Sequence, residues 1–167
     1  MDETATVRET SQEWRGNVGE LSEGELNAFL GRGVLCRLAV LNERGWPYVQ
    51  PVWFTWDPAE RVFLIVARKK SVWAAYMQRD GRVALTIDEE ARPYRKVAVQ
   101  GRAEVVEEPN IGGRWVEIAK EMATRYLGPH GPDYMIPTLD QPRWLFKIIP
   151  VEMKTWQGVA WAKRYRE

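Results

Sequence analysis

The sequence predicts a mainly β protein of the α+β class, in which about six strands form an antiparallel barrel with a few peripheral helices. Three observations support this prediction. Short apolar or alternating stretches recur along the chain, and turn-forming residues separate them at the spacing of hairpins. Only three stretches have the spacing of a helix. No internal repeat or low-complexity tract interrupts this pattern.

The length of 167 residues fits one domain. We place this domain at residues 20–167, after a flexible N-terminal arm at 1–19 that is polar and acidic, unlike a signal peptide. No apolar run reaches the ~18 residues that would span a membrane. The single cysteine, Cys36, excludes an internal disulfide and is predicted to be a small buried apolar residue. We therefore expect a cytoplasmic protein.

The charges are balanced, with 24 Lys and Arg against 23 Asp and Glu, so neither nucleic acid nor a membrane is an expected partner. His130 is the only histidine, and its loop "GPHGP" offers no second ligand, so we predict no metal site. Any catalytic arrangement built on a histidine would depend on this one residue. No Walker loop or G-x-G-x-x-G motif is present.

The first elements along the chain are a helix and three strands. "LSEGELNAFLGRG" predicts a short helix with a capping box at Ser22 and Glu25. The next stretch, "VLCRLAVLNERGWPYVQPVWFTWDPAERVFLIVA", predicts three strands joined by turns at 42–45 and 57–60. The first strand is nearly all apolar, so we expect both of its faces to be buried. Pro51 places the second strand at a sheet edge or a bulge, because proline has no N–H group for the ladder.

The second half of the chain alternates between strands and helices. "RKKSVWAAYMQRDG" predicts a helix that starts at Ser71, with Val72, Ala75 and Tyr76 on one face. Two strands follow, the second of them long and interrupted at Gly101, with "DEE" at 88–90 predicted to be a solvated acidic run between them. A helix over 110–128, a proline-rich surface segment and a last strand with a break near its proline complete the domain.

Two stretches are candidates for a ligand site. In "ARKKS", Arg68, Lys69, Lys70 and Ser71 stand where a strand becomes a helix, so they could hold a phosphate or be an ordinary solvated turn. In "GWPYVQPVWFTWD", three tryptophans stand close together and could form a wall for a flat ligand or simply belong to the core. Flavin mononucleotide (FMN) combines a flat ring with a phosphate and would use both stretches.

The order of these parts resembles the pyridoxamine 5'-phosphate oxidase-like superfamily, the flavin-binding split barrels. The resemblance spans roughly residues 24–157 and rests on "CRLAVLNERGWPYVQPVWFTWD", "VFLIVARKKSVWAAYMQRDGRVALTID", "YRKVAVQGRAEVVEE" and "TWQG". It implies a six-stranded split β-barrel that forms a homodimer, with the cofactor in a groove between the subunits. It also implies a flavin-dependent oxidoreductase that transfers hydride to or from a small molecule, and no catalytic acid or base can be named.

The resemblance also carries over the cofactor-binding residues. The second strand would offer backbone groups to the flavin ring, the strand-to-helix turn would hold the phosphate, Lys96 would approach the ring, and Trp156 would come from the second subunit, followed by Arg166. The predicted cofactor-binding residues are Gln50, Pro51, Val52, Trp53, Arg68, Lys69, Lys70, Ser71, Trp73, Lys96 and Trp156.

The sequence also departs from the oxidases of this superfamily. Gln50 and Thr55 stand where the family has an Arg and a Lys, and Trp73 stands where it has a basic residue near the phosphate. "AKR" at 162–164 replaces the motif that grips the pyridoxal phosphate substrate, which argues against a vitamin B6 substrate. "PVWF" and "PYRKVAVQG" resemble enzymes of the same fold that use the deazaflavin coenzyme F-420, so F-420 is the alternative cofactor. A non-catalytic flavin- or haem-binding protein, or a barrel with an empty groove, remains a further alternative.

Overall fold

The computed structural model describes residues 16–159. Its seven strands form one antiparallel sheet in the order β2-β1-β5-β6-β7-β4-β3. The strands are β1 (Cys36–Leu41), β2 (Pro47–Val52), β3 (Thr55–Asp57), β4 (Val62–Arg68), β5 (Arg82–Asp88), β6 (Lys96–Asn110) and β7 (Arg143–Trp156). The helices are α1 (Glu23–Leu30), α2 (Val72–Arg79) and α3 (Trp115–Leu127), and a 3₁₀ helix spans Gly131–Thr138. Most of the predicted N-terminal arm, at 1–15, lies outside the described residues.

The sheet closes around one core, as a barrel does. Val52 of β2 and Trp56 of β3 lie on the two end strands of the sheet, yet both belong to the same buried cluster. Side chains of the other five strands, of α1 and of α2 fill the rest of that cluster. The two end strands are not paired with each other, so the barrel is split between β2 and β3. The predicted fold class is therefore confirmed, with one strand more than expected because the predicted second strand divides in two.

Local sequence signals account well for the first elements. Ser22 and Glu25 form the predicted capping box of α1, and Leu26, Phe29 and Leu30 are buried against the barrel. The β1–β2 hairpin closes with the N–H of Gly45 donating to the carbonyl oxygen of Asn42 at 2.9 Å. Pro51 lies on the edge strand β2, as the missing N–H group requires.

The expectation that β1 is buried on both faces is wrong. Cys36, Leu38 and Val40 point into the core, whereas Arg37 on the other face is exposed and Ala39 is half-buried. Only the inner face of the strand therefore contributes to the buried core.

The predicted apolar face of α2 is also wrong. The buried side of the helix is formed by Trp73, Ala74 and Met77, while Val72 is exposed and Tyr76 is half-buried. The large indole of Trp73 enters the barrel core and so fixes which side of the helix faces the strands.

Glu89 is not the solvated charge that the sequence predicted. Its side chain is only 7% exposed and bonds two guanidinium groups, Nη1 of Arg32 at 2.6 Å and Nη1 of Arg95 at 2.9 Å. The carboxylate therefore ties the loop after α1 to the start of β6. A buried carboxylate needs such partners, since an unpaired one would carry a large desolvation cost.

The long strands β6 and β7 bend together at an irregularity in their pairing. The sequence predicted a break in each strand at this point, at Gly101 in β6 and near Pro150 in β7. The register shifts between Gln100 and Gly101, and Val151 on β7 is left without a partner opposite it. Gly101 is required at this point, because a Cβ there would lie 2.8 Å from the carbonyl oxygen of Ile149.

A second, smaller core lies on the outer face of β4 and β7. It includes Trp115, Ala119 and Ala123 of α3 and Met135 of the 3₁₀ helix, packed on Leu145 of β7. The segment between β6 and β7 thus forms a layer of its own over two barrel strands. Among residues 16–159, no helix is long and apolar enough to cross a membrane.

Burial makes the only thiol unreactive, which gives a testable prediction. Cys36 is fully buried, and burial raises the pKa of its thiol from 9.0 to about 12. We expect no measurable reaction with Ellman's reagent at pH 8 in the native protein and complete reaction in denaturant. Because the folded pKa lies above the unfolded value, this thiol lowers stability as pH rises above about 9. A Cys36→Ala variant should lose less stability over that range, and rapid native labelling would contradict the prediction.

Candidate functional site

The strand β2 presents its backbone at one edge of the split. Val52 and Gln50 lie opposite Cys36 and Leu38 of β1, so their side chains face the core and not the outer surface. The intervening Pro51 faces outward and is exposed. Because β2 is an end strand, its outer edge has no partner strand within residues 16–159.

The three tryptophans of this stretch go to three different places. Trp46 is 68% exposed at the start of β2, while Trp56 is buried in the barrel, where its Nε1 donates to Oδ1 of Asn27 at 2.8 Å. Trp53 lies between β2 and β3, stacked on Tyr126 of α3 with ring centroids 5.0 Å apart. They therefore do not form one aromatic wall, and Trp53 is the one at the split.

Two residues that were not among the predicted site residues hold the chain at the split. Arg125 donates from Nη2 to the carbonyl oxygen of Phe54 at 2.6 Å and to Oγ1 of Thr55 at 2.8 Å. The hydroxyl of Tyr126 accepts from the N–H of Phe54 at 3.4 Å and donates to the carbonyl oxygen of Val34 at 2.9 Å. Burial raises the pKa of Tyr126 to about 12, so the hydroxyl keeps its proton. The last turn of α3 therefore satisfies backbone that a break between two strands would leave unpaired.

The basic turn between β4 and α2 gathers three exposed cations. Arg68, Lys69 and Lys70 are exposed, and none of them forms an ion pair with a carboxylate in the described part of the chain. The hydroxyl of Ser71 makes no capping hydrogen bond, although Ser71 is the N-cap of α2. A helix also leaves its first N–H groups without partners inside the helix. The turn therefore gathers cations, a hydroxyl and amide donors that are available to a ligand.

Trp73 does not join this basic turn. Its side chain is 9% exposed and belongs to the barrel core, on the opposite side of α2 from the solvent. Within one protomer its side chain therefore packs against the strands of the barrel.

Lys96 and Trp156 form a second group at the other end of β7. They lie directly opposite each other at one end of the β6–β7 ladder. At the other end of β7, Arg143 lies opposite Arg68 of β4. Thirteen residue steps of β7 separate its two ends, about 40 Å of strand at 3.3 Å per residue. One protomer therefore carries the predicted residues as two separate groups.

The residue after Trp156 fixes the end of β7. Gln157 is buried, and its Nε2 donates to Oε1 of Glu25 at 2.9 Å. Its backbone also exchanges two hydrogen bonds with Gly19. Glu25, the capping residue of α1, thus holds the strand end, and its hydrogen bonds to Gln157 and Ser22 lower its pKa. Trp156 therefore lies next to a residue that these hydrogen bonds hold in place.

The described residues give little support for a metal site or for catalysis by a histidine. Residues 16–159 contain no group of three His, Cys, Asp or Glu side chains that could hold a metal ion. His130 is exposed in the loop before the 3₁₀ helix, 3.9 Å from Asp133. The predicted cofactor-binding residues thus lie at the split at β2, at the basic turn and at the Lys96–Trp156 pair.

Solved structures share this fold over most of the chain. An F420 reductase is 24% identical with a TM-score of 0.61, and the match covers 77% of this chain and 94% of that one. The haem storage protein HutZ of Vibrio cholerae is 19% identical with a TM-score of 0.61, covering 81% and 96%. An FAD-binding protein of Mesorhizobium loti is 20% identical with a TM-score of 0.58, covering 86% and 98%. Proteins that bind flavins, deazaflavins or haem are thus found among the structural neighbours.

The family comparison covers the whole barrel. No protein with a curated description matches the sequence significantly. The sequence model of the pyridoxamine 5'-phosphate oxidase family matches residues 22–157, from the N-cap of α1 to the residue after β7. The chain therefore belongs to the pyridoxamine 5'-phosphate oxidase family.

Proposed function

We propose that the protein is a homodimeric flavin-dependent oxidoreductase that binds FMN between two subunits and transfers hydride to or from a small molecule. The observation that carries this proposal is the basic turn Arg68–Ser71, which offers three cations without carboxylate partners and a free hydroxyl in the described residues. Membership of the family and the flavin-binding neighbours support the same cofactor class.

The residues present fit a flavin phosphate. The dianionic phosphate would be held by charge-assisted hydrogen bonds from Lys69 and Lys70, by the Ser71 hydroxyl and by the N–H groups at the start of α2. Trp73 stands where the family has a basic residue, and the two exposed lysines, Lys69 and Lys70, would supply that charge instead. When bound, the flavin supplies the hydride chemistry.

The protein's own part is to bind and orient. The edge of β2 around Gln50, Pro51 and Val52 would offer backbone groups to a flat ring, in the way that an edge strand pairs with a ligand. Arg125 and Tyr126 keep the chain beyond that edge in one conformation. From the Lys96–Trp156 pair, we place the side chain of Lys96 near the flavin ring.

A second subunit would complete the site. Lys96 and Trp156 lie at the opposite end of β7 from Arg143, the residue that faces Arg68, so a partner related by two-fold symmetry is the natural way to join the two groups. The outer face of the sheet has a shallow cavity of about 420 Å³, which is lined by Ala39, Leu41, Pro47, Ala84 and Val151 together with the polar residues Arg82, Gln100 and Arg102. Pairing would cover this surface.

The dimer can be tested with one substitution on that face. Val151 is 73% exposed at the bulge of β7, so Val151→Glu would place a charge in the proposed interface without disturbing the core. We expect sedimentation equilibrium to show a dimer for the wild type and a monomer for the variant. Ile111→Glu is the matched control, because Ile111 is an exposed apolar residue after β6 and outside the cavity. A monomeric wild type would contradict the proposal that the cofactor site lies between two subunits.

F-420 is the second candidate cofactor. The neighbour that is an F420 reductase has the same fold over 77% of this chain, and the basic turn would suit an acidic tail as well as a single phosphate. In that case the protein would be a deazaflavin-dependent reductase, and the same residues would hold the cofactor.

The proposed function is tested first by visible absorption. We expect a flavin band in the purified protein, or tight and saturable binding when FMN and F-420 are titrated separately. The more tightly bound of FMN and F-420 identifies the cofactor that the protein uses. Reoxidation of the reduced cofactor that depends on an added substrate would identify an enzyme, whereas binding without turnover would identify a carrier. Binding of neither cofactor would contradict the proposal.

A further inference from the structure

Tyr94 has a backbone conformation that tyrosine rarely adopts. It lies in the loop between β5 and β6, and its φ of 57° is in the left-handed region that favours glycine. Among residues 16–159, Arg61 is the other non-glycine residue with a positive φ. Arg61 lies in the turn between β3 and β4, and hairpin turns often need such a residue. A bulky aromatic residue in this conformation costs free energy, which the surrounding structure must offset.

Hydrogen bonds hold the loop that contains Tyr94 closed. The N–H of Glu89 donates to the carbonyl oxygen of Arg95 at 3.1 Å, and Nη1 of Arg95 donates to Oε1 of Glu89 at 2.9 Å. Inside the loop, the N–H of Tyr94 donates to the carbonyl oxygen of Ala91 at 2.8 Å. These bonds fix the two ends of the loop and the turn between them, so they hold Tyr94 in its left-handed conformation.

The core of the protein does not require a tyrosine at this position. Tyr94 is 45% exposed and belongs to neither of the two buried cores. Its ring is not paired with another aromatic ring of residues 16–159. Residues that occupy a costly backbone conformation cluster at sites of binding and catalysis. The ring of Tyr94 is therefore a candidate for contact with a ligand.

Tyr94 lies at the end of the sheet that carries Lys96 and Trp156. Lys96 follows Tyr94 by two residues and is directly opposite Trp156 in the β6–β7 ladder. The carbonyl oxygen of Pro93 accepts from the N–H of Gly158 at 2.6 Å. The chain just before Tyr94 is thus bonded to the chain just after Trp156. Tyr94 therefore joins the group of residues that, in the proposed function, reaches the cofactor from the second subunit.

We propose that Tyr94 is a further cofactor-contacting residue, whose ring packs against the flavin or deazaflavin ring that the partner subunit binds. Two aromatic rings attract each other when they are stacked with an offset or meet edge to face. Because the loop is already fixed, little conformational freedom would be lost when the ring of Tyr94 meets the cofactor. This inference rests on the proposed function for its ligand and adds a residue that is not among the predicted cofactor-binding residues.

The test replaces Tyr94 by glycine, which suits the backbone conformation and removes the ring in one step. We expect Tyr94→Gly to bind FMN or F-420 about 10-fold more weakly than the wild type in absorbance titrations. Its midpoint of urea denaturation should not fall, because glycine adopts a positive φ without steric cost. Tyr94→Phe keeps the ring and should bind like the wild type. Arg61→Gly is the matched control, since it changes the other left-handed residue and should leave the Kd unchanged.

Mixed dimers test whether the ring acts from the second subunit. A Tyr94→Gly subunit is paired with a subunit in which Arg68, Lys69 and Lys70 are replaced by alanine, and different affinity tags allow the heterodimer to be purified. If Tyr94 contacts the partner's cofactor, one of the two sites combines an intact basic turn with an intact Tyr94. We therefore expect half of the sites to bind with the wild-type Kd.

Three outcomes would overturn the inference. The first is an unchanged Kd in Tyr94→Gly. The second is weaker binding by a variant that sedimentation shows to be a monomer, because Tyr94 would then hold the subunits together and not the cofactor. The third is a heterodimer with no site of wild-type affinity. The wild type is titrated first, so binding of neither cofactor by the wild type marks a failure of the proposed function and is distinguishable from these three results.

Discussion

Replacing Arg68, Lys69 and Lys70 together by alanine is expected to weaken cofactor binding by about 100-fold or more. Charge-assisted hydrogen bonds to a phosphate contribute about 1.5–3 kcal/mol each, and a loss of about 3 kcal/mol corresponds to more than 100-fold in Kd. The variant should fold normally, because all three side chains are exposed and lie outside the core. The measurement is the Kd for FMN, and then for F-420, from the absorbance change on titration.

The size of this effect depends on which groups hold the phosphate. Ser71→Ala removes only a hydroxyl and should weaken binding by roughly 10-fold. Arg44→Ala serves as the control for a simple change in net charge. An unchanged Kd in the triple variant would show that the basic turn is an ordinary solvated turn, and the cofactor proposal would then lose the observation that carries it.

The second large effect is expected for Arg125→Met, which should lower the free energy of unfolding by about 3 kcal/mol. The substitution keeps the aliphatic packing of the side chain but removes two hydrogen bonds from a charged donor. It also leaves the carbonyl oxygen of Phe54, at a fully buried residue, without this partner. Urea denaturation followed by tryptophan fluorescence measures the loss.

A substitution on the same helix provides the reference for this measurement. Arg114→Met removes an exposed charge at the start of α3 and should change stability by less than about 0.5 kcal/mol. Arg125→Lys keeps the charge with fewer donors and should fall between the two. If Arg125→Met costs less than about 1 kcal/mol, then the split is held mainly by Tyr126 and the packing of Trp53.

The features that could be predicted from the sequence are those with local causes. The capping box at Ser22 and Glu25, the turn at Gly45, the edge position of Pro51 and the bend at Gly101 each depend on a few neighbouring residues. The order of the strands and their resemblance to the family were enough to give the fold class. The candidate turn at Arg68–Ser71 was also visible, because cations before a helix form a recognisable pattern.

The features that could not be predicted depend on contacts between distant segments. One ion pair of Glu89 is with Arg32, which is 57 residues away in the sequence. The residues next to Glu89 give no sign of that contact. The buried side of α2 was decided by where Trp73 meets the barrel, and not by the spacing of apolar residues. Arg125 and Tyr126 act on a segment about 70 residues earlier in the chain. Their only sequence signal is a polar pair at the end of an otherwise apolar helical face.

The two-layer packing on β4 and β7 has a consequence for motion. The small core of α3 and the 3₁₀ helix lies on one face of these strands, and the large barrel core lies on the other. A layer with fewer buried side chains opens at a lower free energy than the barrel beneath it. Amide hydrogen exchange should therefore be faster at Tyr134 and its neighbours than at buried β5. Such partial unfolding would expose Trp115 and Leu145 to solvent while the core of the barrel stays intact.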